Sequence, residues 1–144
     1  MTVAAILKHK GSEVASASPA DTIEAVVRVL TARGIGAVVV LDTTARPLGI
    51  LSERDIVHAL AAKGADALAM TAGELMTRAL KTASPRTTVG EAMAMMTAGR
   101  FRHLPVIDND SLVGLVSIGD VVRAKILQQE TEVDGLRAYV SGAG

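Results

Sequence analysis

Two strings in the chain set a hydroxyl and a carboxylate three residues apart, Ser52-Glu53-Arg54-Asp55 and Ser117-Ile118-Gly119-Asp120, and a basic cluster of Arg100, Arg102 and His103 precedes the second. Ser117, His103 and Asp120 are the residue types of a nucleophilic triad. Ser117, however, lies in Gly114-Leu115-Val116-Ser117-Ile118-Gly119, one position off the Gly-x-Ser-x-Gly turn that presents a serine to its base. Ser52 has no histidine at the position equivalent to His103, so no catalytic residue is expected. His9, His58 and His103 are too far apart for a local ligand pair and the chain has no Cys, so no metal site is expected either. No Gly-Lys dipeptide is available for a phosphate-binding loop, and Val39 stands where a third glycine after Gly34 and Gly36 would complete a dinucleotide fingerprint. A serine ending a strand and an aspartate in the first helical turn do suit a helix start, the serine as cap and the carboxylate against the helix dipole.

These strings are positioned by a repeated unit. At an offset of 66, Ile23, Val26, Val27 and Leu30 fall on Val89, Ala92, Met93 and Met96, and both sets follow the i, i+3, i+4, i+7 spacing of one buried helical face. Asp21-Thr22 and Thr87-Thr88 are the expected caps, with Thr88 and Glu91 spaced as a capping box. Gly34 and Gly99 are the expected helix ends. Ala37–Asp42 then falls on His103–Asp108, two short apolar runs that end in Asp-rich turns. One residue fewer in the second hairpin loop brings Gly49–Ile56 onto Gly114–Val121 at an offset of 65, and a helix follows in each. The lead-in repeats as well, Thr2–Leu7 on Thr71–Met76 at an offset of 69. Each unit reads lead-in turn, short strand, helix, strand, hairpin loop, strand, helix. A unit of this size is marginal alone, so the copies are expected to pack on each other about a pseudo-twofold axis, joined by a linker at Gly64-Ala65-Asp66. The five methionines from Met70 to Met96 read as core filler.

The duplicated Gly-apolar-apolar-Ser-x-x-Asp-apolar string, together with Phe101-Arg102-His103-Leu104-Pro105-Val106, resembles the CBS (cystathionine-β-synthase) domain, and two in tandem resemble a Bateman module. The likeness runs from Val3 to about Leu127 and is similar to small stand-alone bacterial CBS-pair proteins. It implies an α/β fold of two pseudo-twofold-related repeats: repeat 1 over residues 1–64, repeat 2 over 65–127, and a C-terminal extension over 128–144. It also implies a cleft between the repeats for an adenosine-containing ligand such as AMP, ADP, ATP, NAD(H) or S-adenosylmethionine. Carried over residue by residue, the resemblance gives Asp55 and Asp120 the ribose hydroxyls and places Ser52 and Ser117 near ribose or phosphate. Ser16 and Thr82 line the pocket, Gly36-Ala37 and His103-Leu104 meet the base beside Pro105, and Arg102 and His103 meet phosphate. Elementary chemistry agrees: an ionised carboxylate accepts both hydrogen bonds of a vicinal diol, and a guanidinium binds phosphate bidentately. The copies differ in charge, with Val39 against Pro105, Gly36-Ala37 against Arg102-His103, and Arg54 against Gly119.

Composition narrows the function further. Fifteen Lys and Arg balance fifteen Asp and Glu, which removes the basic footprint of a duplex nucleic-acid binder, and a single Phe, a single Tyr and no Trp leave no base-stacking platform. No apolar run approaches membrane-spanning length, Met1–Lys10 lacks a signal-peptide pattern, and a Cys-free chain suits the cytoplasm. A non-catalytic nucleotide sensor is therefore expected, acting on a regulated partner the sequence does not name; the alternative is a dimerisation scaffold with vestigial sites. Ile56, Val57 and Leu60 with Val121, Val122 and Ile126 are the expected homodimer faces, with Leu136 and Tyr139 as a C-terminal clasp and a frayed end at Ser141–Gly144.

Overall fold

The structure, a computed structural model, describes the backbone of residues 1–143 and the side chains of residues 1–140. Its elements are α1 (Val3–Lys10), β1 (Ser16–Ala17), α2 (Ile23–Arg33), β2 (Ala37–Leu41), β3 (Pro47–Ser52) and α3 (Glu53–Lys63), then a 3-10 helix over Gly64–Ala69. They continue with α4 (Ala72–Leu75), α5 (Val89–Gly99), β4 (His103–Asp108), β5 (Ser111–Ser117) and α6 (Ile118–Ala143). This is the expected α/β architecture of two similar units.

Local chemistry starts and stops the elements at matching places. The Thr22 hydroxyl accepts the Ala25 N–H, and Thr88 and Glu91 form a reciprocal capping box on α5. Helix α2 closes at Gly34 in the left-handed region, but α5 closes one residue after the expected glycine, at Arg100 with φ 56°. Gly99 instead makes room for the Phe101 ring, which fills the space a Cβ would need. In each unit an antiparallel hairpin, β2 with β3 and β4 with β5, carries a bulge at the same place, Val40/Leu41 and Val106/Ile107. Asn109 and Asp110, both at positive φ, close the shorter hairpin.

The expected first strand forms only in unit 1, where β1 pairs parallel with β2. Unit 2 keeps a single bridge, Ala83 to Val106. The cause is Pro105. Val39 N–H donates to Ala15 O at 3.2 Å, and the repeat offset puts Pro105, which has no N–H, at the donor position.

The lead-ins cross over. Val3 N–H donates to Thr87 O and Val89 N–H to Met1 O, while Ala72 N–H donates to Asp21 O and Ile23 N–H to Met70 O, so each lead-in is stitched to the helix start of the opposite unit. Val3 and Ile6 of α1 are buried among Val89, Met96, Leu104, Val116 and Val121, whereas Ala72 and Met76 are buried among Ile23, Val26, Leu51 and Ile56. At about 1.5–3 kcal/mol for each large apolar side chain buried, the exchange makes each core depend on the other half of the chain. Gly64-Ala65-Asp66, expected as a linker, opens the 3-10 helix, and Ala67 within it is fully buried. The five methionines are buried or packed against the two cores.

Of the expected dimer-face residues, Ile56 and Val121 are buried in the two cores, because they point inward from α3 and α6. Val57, Leu60, Val122, Ile126, Leu136 and Tyr139 are exposed. Helix α6 continues through Ala143; of the expected frayed end, Gly144 lies outside the described residues.

Two glycines admit the crossing segments. A Cβ on Gly49 would lie 2.8 Å from Thr77 O and 2.7 Å from Met76 Sδ, whereas one on Gly114 would meet only the end of the Leu7 side chain, at 2.5 Å. Gly49→Ala must displace backbone and is expected to lower stability by about 1–3 kcal/mol, with Gly114→Ala costing less because Leu7 can rotate away. Urea unfolding of the two variants checks the order.

Candidate functional site

Both Ser-x-x-Asp strings are capping boxes. Ser52 N–H donates to Asp55 Oδ2 at 2.9 Å while Asp55 N–H donates to Ser52 Oγ, and Ser117 N–H donates to Asp120 Oδ2 at 2.8 Å while Asp120 N–H donates to Ser117 Oγ at 3.2 Å. The spacing thus does structural work first. It starts α3 and α6, and in doing so it fixes one carboxylate oxygen and aims the other.

Around Asp55 the aimed carboxylate meets a cleft of about 520 Å³ between the two units. Unit 1 contributes Gly36, Ser52, Glu53, Arg54, Asp55 and His58. The lead-in crossing from unit 2 contributes Thr77, Ala79 and Lys81, and the start of β4 contributes Arg100 through His103 with Pro105. Thr77 is held there by two backbone hydrogen bonds to Ile50, at 2.8 and 3.0 Å. Arg54 spans the cleft and donates from Nη1 to Arg100 O at 3.0 Å, a carbonyl at the C-terminal end of α5 where a cation is favoured. Asp55 Oδ2 also accepts the Ser52 hydroxyl at 3.1 Å, and Oδ1 accepts no hydrogen bond among the described residues. Four cations, Arg54, Lys81, Arg100 and Arg102, therefore face two carboxylates, Glu53 and Asp55, which leaves the cleft electropositive.

Asp120 is placed differently. Lys10 Nζ donates to Asp120 Oδ2 at 2.6 Å and to Leu115 O at 2.9 Å, and Arg123 Nη2 donates to Asp120 Oδ1 at 2.8 Å. Burial pushes this carboxyl up, but hydrogen bonds from Lys10 and Ser117 and the Lys10 charge outweigh it and hold the pKa below the ordinary value. His103 lies between the two aspartate environments: its ring and Glu53 Oε1 crowd the position a Cβ on Gly36 would occupy. Burial and the Lys10 charge lower its pKa below the ordinary 6.5, against the opposing pull of Glu53 and Asp120.

The structure brings seven of the sequence-derived site residues to the Asp55 cleft: Gly36, Ser52, Arg54, Asp55, Arg102, His103 and Pro105. The other seven do not line it. Ser16 and Thr82 are exposed elsewhere. Ala37 and Leu104 are fully buried, Leu104 in the core of unit 2 and Ala37 with Val39 on the strand face opposite the core residues Val38 and Val40. Ser117, Gly119 and Asp120 form the other, Lys10-bound corner. Sequence reasoning missed Thr77 and Lys81, since the crossing of the lead-in has no one-dimensional signature, and it missed Glu53, which differs from its counterpart Ile118.

Comparison with known proteins matches the chain to a family. The family model of the CBS domain matches the chain twice, over residues 6–62 and 72–126. The chain is 34% identical over 149 residues to the CBS domain-containing protein CBSX3, mitochondrial, of Arabidopsis thaliana, an alignment that spans 98% of this chain and 72% of that protein. The crystal structure of the CBS-domain containing protein ATU1752 from Agrobacterium tumefaciens is similar at a TM-score of 0.84 and 41% identity, over 86% of this chain and 92% of that one. The crystal structure of CBSX2 in complex with AMP shares the fold at a TM-score of 0.73 and 22% identity, over 89% of this chain and 98% of that one.

The lowered His103 pKa has a thermodynamic consequence. Below 6.5 the unfolded chain takes up a proton that the native imidazole resists, so stability falls with pH from the unfolded value down through the folded one. His103→Gln is expected to reduce that slope, and urea unfolding at about pH 7.5, 6.5 and 5.5 measures it, an unchanged slope contradicting the assignment.

Proposed function

Because the chain belongs to the CBS-domain family, with two copies of the domain in tandem, we propose that it is a non-catalytic sensor that binds an adenine nucleotide in the cleft around Asp55. The observation that carries this reading is a half-used carboxylate in a cleft of about 520 Å³ whose lining holds cations in excess, within the size range of small-molecule sites. The open Asp55 Oδ1 suits a ribose diol, and Arg54, Arg102, Arg100 and Lys81 suit phosphate. That excess of positive charge favours AMP, ADP, ATP or NAD(H) and disfavours the cationic S-adenosylmethionine. The AMP held by the CBSX2 structure supports the ligand class.

The ligand would touch both units at once: Asp55 and Arg54 from the first, Arg102 and His103 from the second, Lys81 from the crossing lead-in. Affinity that differs between two dispositions of the units is what converts occupancy into a signal. Val57 both lines the cleft and lies exposed on α3, so a ligand there would bear on the helix proposed to meet a second copy of the chain. The homodimer would use Val57 and Leu60 of α3 with Val122 and Ile126 of α6, and Leu136 and Tyr139 as a clasp. No helix of the described residues is long and apolar enough to cross a membrane, and the sensor is proposed to act in the cytoplasm on a protein partner. The exposed apolar stripe of α6 also supports a second reading, a dimerisation scaffold whose nucleotide site is vestigial.

Calorimetry separates the two. Asp55→Ala is expected to weaken AMP binding by about 1.5–3 kcal/mol, the cost of a charged hydrogen-bond partner. Adenosine is expected to bind more weakly than AMP, by a margin that shrinks in Arg102→Ala. No binding of any adenine nucleotide would leave the scaffold. Light scattering tests assembly: twice the 14.8 kDa chain mass is expected, and the mass of a single chain with and without nucleotide would remove the dimer.

A further inference from the structure

We infer that Lys10 latches the Asp120 corner shut and that the chain binds one nucleotide, on its Asp55 side; the stoichiometry rests on the nucleotide reading of that side. The two corners share one capping-box geometry and differ in what meets the carboxylate. Asp120 has both oxygens taken by cations, Oδ2 by Lys10 at 2.6 Å and Oδ1 by Arg123 at 2.8 Å, and its side chain is only 9% exposed. Asp55 has no cation within ion-pair distance among the described residues. A diol arriving at Asp120 would have to displace an ion-paired donor from each oxygen, Lys10 from one and Arg123 from the other, before it could bind. At Asp55 it meets an oxygen already vacant.

The asymmetry is built by the chain. Helix α1 runs eight residues to Lys10, whereas α4 runs four and stops at Leu75. In unit 1 the Ile50 carbonyl on β3 accepts the Thr77 N–H at 2.8 Å. The longer α1 puts a helix where that bridge would form in unit 2, and the ammonium of Lys10 takes over the corresponding carbonyl, Leu115 O at 2.9 Å, on its way to Asp120. The offset of the lead-ins puts Ala79 at the position of Lys10, a methyl that cannot reach a carboxylate. Arg123 likewise stands where the other unit has His58, and Gly119, where the other has Arg54, leaves the space beside the Arg123 guanidinium open.

Calorimetric titration of the full chain with AMP reads the latch as stoichiometry. One site per chain is expected in the wild type, two in Lys10→Ala, and one again in Lys10→Ala/Asp120→Ala; the wild-type event is expected to vanish or weaken at least tenfold in Asp55→Ala. Two sites in the wild type, or one in Lys10→Ala, would overturn the latch while leaving the nucleotide reading intact. Absence of binding of AMP, ADP, ATP and NAD(H) alike in every variant would overturn the nucleotide reading and with it the stoichiometry. The latch contact is then judged without ligand, by a double-mutant cycle of Lys10→Ala and Asp120→Ala in urea unfolding. Coupling of roughly two- to fivefold in the unfolding constant supports the contact, and no coupling overturns it.

Discussion

Four backbone hydrogen bonds at the exchanged lead-ins, Val3 to Thr87, Val89 to Met1, Ala72 to Asp21 and Ile23 to Met70, hold the remainder of the molecule in place. They commit the first residues of each unit to the helix start of the other, and Val3, Ile6, Ala72 and Met76 follow into the opposite cores. Neither half then has a complete core alone. Since burial scales poorly for so short a segment, exchange turns two marginal units into one cooperative body. Gly49 is the steric condition for that exchange, and Gly114, at the equivalent place on the other hairpin, gives room to the end of the Leu7 side chain.

The clefts are consequences of the same crossing. A lead-in that passes over a hairpin of the other unit must leave along its far end, where the Ser-x-x-Asp helix begins. In one corner the crossing chain is extended at Thr77, pairs with Ile50, and lets Lys81 join the cations of the cleft. In the other it remains helical to Lys10 and fills the corner with its own charge. Pseudo-symmetry supplied two similar corners, and a few substitutions gave them opposite electrostatic states: one carboxylate neutralised internally, one cleft with cations in excess.

His103 links these states. It lines the open cleft, yet its protonation responds to Lys10 and Asp120 in the other corner as well as to Glu53. The imidazole thus stands between the charges of the two corners. Val57 lines the same cleft and lies exposed on α3.

Much of this was legible in one dimension. The i, i+3, i+4, i+7 faces of α2 and α5, the threonine caps and the paired hairpins are local, and the two-unit α/β fold with its Ser-x-x-Asp helix starts follows from them. Half of the expected site residues meet at the Asp55 cleft for the same reason, as they flank those helix and strand starts. The bond that Pro105 denies to the first strand of unit 2 was also present in the sequence, as a missing N–H. Tertiary structure alone decided which lead-in closes which core, that Lys10 rather than solvent meets Asp120, and that Lys81 and Thr77 face Asp55. Those pairings join residues far apart in the chain, Lys10 and Asp120 being separated by 110 positions. Sequence periodicity reports only which face of an element is apolar; which partner covers it, and which charge lands beside which, depends on where the chain crosses in space.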